Sequence, residues 1–211
     1  MLSKVPTVLP FGEALNVKVG YKSIEVGDEN LLKDEEVCAF KRYPISRQRQ
    51  SGAARHVARS LLSHWGGGNV TIPKNIDGAP TWPEGIVGSI AHDDTVAMAI
   101  VASDAKLRGV GIDVEPDLRL PVELVPLVLT PREQASYCSD VEQMKQIFVI
   151  KEAVYKSWYP TFKQFLDFQD IELDLEQKRA YIARSNTFLL TNFFNTGHLI
   201  GLAYFYNAAP I

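Results

Sequence analysis

The residues with most chemistry to offer sit in two otherwise apolar segments: Gly111-Ile112-Asp113-Val114-Glu115, and Phe148-Val149-Ile150-Lys151-Glu152-Ala153-Val154-Tyr155-Lys156. Unpaired charge is costly to bury, so charge in such runs implies that something ionic is held there. In an extended 110–115 segment, Val110, Ile112 and Val114 share one face, and Gly111, Asp113 and Glu115 share the other. The two carboxylates are then about 7 Å apart along the strand, within reach of one hard divalent cation. With few protein ligands, and water or phosphate oxygens completing an octahedron, Mg²⁺ fits better than Ca²⁺. Zinc does not fit, because no Cys/His cluster has its spacing. A solvated strand face would show the same alternation, so both readings stand at this level.

Glu152 and Lys156 are four residues apart and share a helix face. Spacing alone is explained by a surface ion pair. The apolar neighbours Ile147, Phe148, Val149, Ile150, Ala153 and Val154 instead describe a helix buried on much of its circumference, where a third carboxylate and an ammonium could complete a metal and phosphate site. His92 is either a satisfied structural imidazole or a loop donor to a phosphate oxygen. Arg47, Arg55 and Arg59 are the main local basic cluster. They form either a solvated helix face or a grip on phosphate by guanidinium forks, which Lys74 could join. His56, His64 and His198 show no ligand spacing. There is no P-loop and no Gly-rich dinucleotide pattern.

These residues need elements to position them. Val17, Val19 and Tyr21 alternate with polar residues as in a half-buried strand, and the first forty residues read as short strands and turns. From Ser46 to Trp65, apolar residues recur at helical spacing until Gly66-Gly67-Gly68. Residues 69–85 are a Pro/Gly-rich loop, and Val87–Ile90 and Val96–Val101 read as strands around a turn at His92-Asp93-Asp94. Val110–Glu115 is a strand. Thr130-Pro131-Arg132-Glu133 is a helix start with a capping box. Asp140–Tyr159 is a second long helix, with Asp140 and Gln143 set for a box and Pro160 closing it. Strands follow at Ile171–Leu175, Arg179–Arg184 and His198–Tyr206. The order strand, helix, strands occurs twice, which predicts an α+β protein of two similar lobes, 1–103 and 104–211.

The 211 residues suffice for such a core, and 46% apolar with 22% charged residues is an ordinary globular balance. A net charge of −3 advertises neither nucleic acid nor an acidic membrane surface. Cys38 and Cys138 have neither metal spacing nor a disulfide framework and are expected as buried thiols in a reducing cytosol. Met1-Leu2-Ser3-Lys4-Val5-Pro6 has no long apolar stretch, and no span reaches membrane length. A cytoplasmic protein is expected.

Taken together, Gly78-Ala79-Pro80-Thr81-Trp82-Pro83, Gly88-Ser89-Ile90-Ala91-His92, the Asp113/Glu115 strand, Ile150–Lys156 and the Arg47–Arg59 helix resemble the 4′-phosphopantetheinyl transferases, in the Sfp-like branch that includes the enterobactin synthetase component. The resemblance implies two α/β lobes related by a pseudo-two-fold axis, with the active site in the cleft between them and a monomer as the working unit. It implies transfer of the phosphopantetheine arm of coenzyme A to a serine of an acyl or peptidyl carrier protein, releasing adenosine 3′,5′-bisphosphate, with siderophore or other secondary-metabolite assembly as a setting. Asp113, Glu115 and Glu152 would hold Mg²⁺, with Mn²⁺ as a substitute. Glu152 would also take the serine proton, and Lys156 would bond the α-phosphate. Arg47, Arg55, His92 and Lys74 would grip the phosphates of coenzyme A, with Asp113 against the diphosphate through the metal. Two departures stand out: Ala91 occupies the place of a Ser or Thr, and Ala79 that of a Lys. The competing readings are a metal-dependent phosphohydrolase acting on coenzyme A or nucleotides, and a non-catalytic coenzyme A-binding module.

Overall fold

The computed structural model describes residues 16–66, 68–137 and 140–207; the N-terminal segment 1–15, Gly67 and Cys138 lie outside them. β1 (Val17–Ser23) leads through a 3-10 turn to α1 (Asp34–Phe40) and α2 (Ile45–Leu62). The loop that follows gives way to β2 (Ile86–His92), β3 (Val96–Ser103) and β4 (Leu107–Pro116). Short helices α3 (Val125–Val128) and α4 (Pro131–Tyr137) precede the long α5 (Val141–Phe162). β5 (Ile171–Asp174), β6 (Arg179–Ile182), β7 (Thr187–Asn195) and β8 (His198–Tyr206) complete the described chain. The strands form two antiparallel sheets, ordered β1-β3-β2 and β4-β8-β7-β6-β5. The fold is α+β.

Strand alternation explains the layering. On β4, Val110, Ile112 and Val114 are buried against Met98 and Ile100 of β3 and Ile200 and Leu202 of β8, forming one core between the two sheets. The other face of the small sheet carries α2, through Val57, Leu61 and Leu62 against Ala99 and Val101. The other face of the large sheet carries α5. Small residues there let helix and strand backbones touch: a Cβ on Gly111 would lie 1.9 Å from the Ala153 carbonyl oxygen, and one on Gly201 would lie 2.5 Å from that of Val149. The order across the molecule is helix, sheet, sheet, helix. Because Asp113 and Glu115 follow Gly109 and Gly111 on the same strand face, they meet α5. This answers the choice left open by the sequence: Asp113 is buried at 5% exposure, not on a solvated face.

Local signals hold with some corrections. Thr130 and Glu133 form the reciprocal capping box. Asp140 caps α5 by accepting from Glu142 and Gln143 N–H, but its own N–H goes to Tyr137 O, so the box is one-sided. Pro160 does not close α5. The last turn persists because Phe162 stacks on Trp158 at 3.7 Å and on Phe205 at 5.8 Å, and Thr161 Oγ1 donates to Arg108 O; this packing offsets the N–H that proline lacks. Lys163, at φ 53°, ends the helix. Residues 34–40, read as turns, are helical. α1 buries Glu36 and Phe40, and Cys38, two residues from each and so on the opposite side of the helix, is exposed rather than buried. β7 went unread, because Phe188 faces outward at 59% exposure and breaks the apolar alternation.

Candidate active site

The sequence-selected residues Arg47, Arg55, Lys74, His92, Asp113, Glu115, Glu152 and Lys156 all line one cleft of about 560 Å³. α2 supplies Arg47, Ser51 and Arg55, successive by four and thus along one helix face. β2 supplies Ser89 and His92, the loop of residues 69–85 supplies Lys74, and β4 and α5 face each other across the far end. The result is two poles, one cationic and one acidic.

At the cationic pole, Arg47 Nη1 is 2.8 Å from His92 Nε2. Burial pushes the His92 imidazole down to about 4, helped by the positive charges of Arg47 and Lys156. His92 is therefore neutral at physiological pH. Accepting from Arg47 at Nε2 leaves its proton on Nδ1, and that nitrogen is buried without a partner. The Asp93 backbone lies beside the ring and pulls its pKa the other way, more weakly. Arg55, 2% exposed, is anchored by Nε donating to Ile72 O at 2.8 Å and lies 4.6 Å over the Phe40 ring. Burial lowers it to about 10, so it stays charged. Lys74 donates to Tyr43 Oη at 3.0 Å, and that bond draws the phenol below its ordinary value.

Arg59 does not join this pole. Twelve residues from Arg47, it has rotated about 120° around the helix at 3.6 residues per turn and pairs with buried Glu36 at 2.8 Å. Arg49 likewise turns to Glu29. Asp93, whose negative charge neighbours His92 in sequence, is spent on its turn: Oδ1 accepts from Thr95 N–H, Thr95 Oγ1 and Val96 N–H, and His198 Nε2 lies 3.2 Å from Oδ2. Ser89 Oγ accepts from Ile112 N–H at 3.2 Å and ties β2 to β4.

At the acidic pole, Lys156 does not pair with Glu152 along the helix. It crosses to Asp113 Oδ1 at 2.6 Å, and Lys145 reaches Glu115 Oε2 at 2.7 Å. Asp113 Oδ2 is buried with no hydrogen-bond partner. Burial raises the Glu152 carboxyl, and the Asp113 charge raises it further, against the pull of Lys156. Among the described residues no three ligands stand as a finished metal cage, since two of the carboxylates are engaged by lysines. An orphaned buried carboxylate oxygen beside two further carboxylates nevertheless fits a hard cation. Lys151, adjacent to Glu152, points away from the cleft. It is fully buried and bonds Glu133 Oε2 at 2.6 Å and the carbonyls of Val128 and Phe168 at 2.9 Å, pinning α3 and α4 to α5. The sequence reading missed Lys145, although its spacing of seven from Glu152 places it on the same face of α5.

A cleft with cations at one end and carboxylates at the other, lined by α2, β2, β4 and α5, defines an α+β protein suited to a phosphate-rich small molecule. Two family models match: the 4′-phosphopantetheinyl transferase N-terminal domain over residues 35–102, and the 4′-phosphopantetheinyl transferase superfamily over 109–203. The 4′-phosphopantetheinyl transferase Npt of Nocardia iowensis is 37% identical over 82% of this chain and 77% of its own length. The transferase PptT of Mycobacterium tuberculosis is 33% identical over 67% of this chain and 64% of its own, and Svp of Streptomyces mobaraensis is 33% identical over 70% and 62%. The chain belongs to the 4′-phosphopantetheinyl transferase superfamily. Among its described residues no helix is long and apolar enough to cross a membrane.

Proposed function

We propose that this cleft transfers the 4′-phosphopantetheine arm of coenzyme A to a serine of an acyl or peptidyl carrier protein, in the cytoplasm and as a monomer. The observation that carries the reading is the convergence of Glu152, Lys156 and Asp113 with Arg47, Arg55 and His92 on one cleft, in a chain of this family. The serine oxygen bonds to the phosphorus bearing pantetheine, the bond from that phosphorus to the bridging oxygen breaks, and adenosine 3′,5′-bisphosphate leaves. Glu152, raised above the usual carboxylate range and so a better base, takes the serine proton directly or through water. Lys156 bonds the departing α-phosphate and stabilises its charge. Arg47, Arg55 and Lys74 hold the 3′-phosphate end, and the His92 imidazole meets a phosphate oxygen. Mg²⁺ would be held by Asp113, Glu115 and Glu152, and when bound it neutralises diphosphate charge; Mn²⁺ would serve in its place.

In this reading residues 1–103 form the lobe that grips coenzyme A, and residues 104–211 form the lobe with the carboxylates and α5. Support for a pseudo-two-fold relation comes from topology: β1-β3-β2 and β4-β8-β7 have the same order, each with a long helix after its first strand. In this reading Ala79 and Ala91 offer no side-chain donor to the phosphates, and Lys74, which lines the same cleft, supplies a cation beside them. Leu127 and Phe165, 61% and 68% exposed, lie in the two segments best placed to meet a carrier helix.

The test is mass spectrometry of an apo-carrier protein incubated with the enzyme, coenzyme A and Mg²⁺. The carrier should gain the mass of phosphopantetheine, and Glu152→Gln should abolish the gain while the protein stays folded by circular dichroism. Full activity in Glu152→Gln would remove Glu152 from its role. Release of free phosphopantetheine in the absence of carrier would point instead to a phosphohydrolase.

A further inference from the structure

Lys145 is a cation at the acidic pole that none of the family-like segments contains. It lies seven residues before Glu152 and eleven before Lys156, so the three share one face of α5. The residue is only 7% exposed. Its ammonium donates to Glu115 Oε2 at 2.7 Å and lies 4.6 Å over the Phe148 ring. Lys156 repeats this arrangement on Asp113 at 2.6 Å. Each β4 carboxylate is therefore held through one oxygen by its own lysine. The second oxygen of Asp113 is buried and takes no hydrogen bond, and no hydrogen bond within the described residues reaches the second oxygen of Glu115.

Two of the three carboxylates at this pole are thus already matched by ammoniums, and that matters for a divalent ion. We infer that Lys145 is the resident counter-cation of Glu115. It fixes that carboxylate when no metal is bound, and it keeps the affinity for a divalent ion low until a diphosphate arrives. The inference rests on the metal reading proposed above. For charges of +1 and +2 about 6 Å apart, the repulsion even at the dielectric of water corresponds to about a factor of ten in affinity. A bound diphosphate offsets both positive charges, so metal and coenzyme A each tighten the other, as linkage requires. Lys145 is thus a positioning and tuning residue, not one that meets the reacting atoms. Its burial separates this role from that of a solvated surface pair, which would be worth little.

The experiment follows free Mn²⁺ by electron paramagnetic resonance during titration of the full chain, with and without coenzyme A. The wild type should bind Mn²⁺ weakly alone and at least about tenfold more tightly with coenzyme A. Lys145→Met should tighten binding without coenzyme A by about tenfold and shrink the gain that coenzyme A brings. Lys145→Arg, which keeps the charge, should follow the wild type. Thermal melts confirm folding, and Lys145→Gln replaces the methionine variant if that one does not fold. Unchanged or weakened Mn²⁺ binding in the charge-removing variant, with Asp113→Asn abolishing binding in parallel, overturns the role of Lys145 and leaves the metal reading intact. If the wild type binds no Mn²⁺ even with coenzyme A, the metal reading falls and takes this inference with it.

Discussion

At the scale of single residues, the cleft works by setting protonation states through burial and neighbours. His92 shows this most directly. Its imidazole is held at about 4, by burial first and then by Arg47 and Lys156, against an ordinary value near 6.5. The unfolded chain therefore binds a proton at His92 between those values and the folded chain does not. By linkage, this contribution to stability is fully present above pH 6.5 and is lost as pH falls from 6.5 to about 4. With partial exposure allowed for, the loss is about 2 kcal/mol. Urea midpoints measured across that window should fall more steeply for the wild type than for His92→Gln, which cannot gain the proton. Other titrating groups are common to both proteins and cancel. Parallel curves would mean that His92 is neither buried nor neutral. In the proposed role, the functional consequence is constancy: an imidazole held neutral across the physiological range would give a phosphate oxygen the same hydrogen bond throughout it.

At the scale of elements, the distances between the charged groups of β4 and α5 depend on how closely α5 lies on β4, and the glycines set that spacing. A methyl on Gly111 would meet the Ala153 carbonyl oxygen at 1.9 Å, whereas one on Gly20 would meet the side chains of Leu61 and Val57 at 3.2 Å. Backbone cannot yield as a side-chain methyl can, so Gly111→Ala must lift the helix, at a cost of about 3 kcal/mol or more, while Gly20→Ala should cost about 1 kcal/mol. Denaturant unfolding of the two variants checks the ranking, and equal costs would show that α5 has slack. This packing also explains what was legible in the sequence. The β4 alternation and the apolar surroundings of Glu152 could be read directly, because a strand face and a helix face have fixed periods. Whether Lys156 paired along its own helix or across to Asp113 could not, since that depends on the approach of two elements remote in sequence. Lys145 and Lys151 were opaque for the same reason: both look like solvated charge until Glu115 and Glu133 arrive from elsewhere. Pro160 misled because the aromatic stack under the last turn involves Phe205, forty-five residues on.

At the scale of the whole molecule, the decisive feature is a separation of charge that the net value of −3 conceals. α2 and the loop after it bring Arg47, Arg55 and Lys74 to one end of the cleft, and the β4–α5 contact brings three carboxylates to the other. A ligand with an isolated phosphate at one end and a diphosphate further along would be oriented by that separation alone. Coenzyme A has this pattern, and dephospho-coenzyme A lacks the isolated 3′-phosphate. If the cationic pole holds that group, coenzyme A should bind about tenfold or more tightly than its dephospho form, as expected for charge-assisted hydrogen bonds. The advantage should shrink between 50 and 500 mM salt at about the rate that screening predicts, because Arg47 is exposed. Calorimetric titration of both ligands into Arg47→Ala should then lower the ratio clearly, with Arg55 and Lys74 keeping the remainder. Glu152→Gln, at the opposite pole, should leave the ratio where it stands in the wild type. Arg47 is the better target than Arg55, whose buried guanidinium also anchors Ile72 and whose loss would confound binding with folding. If Arg47→Ala weakens both ligands equally, the 3′-phosphate lies elsewhere, and the two poles do not orient the substrate in the sense that transfer to a carrier requires.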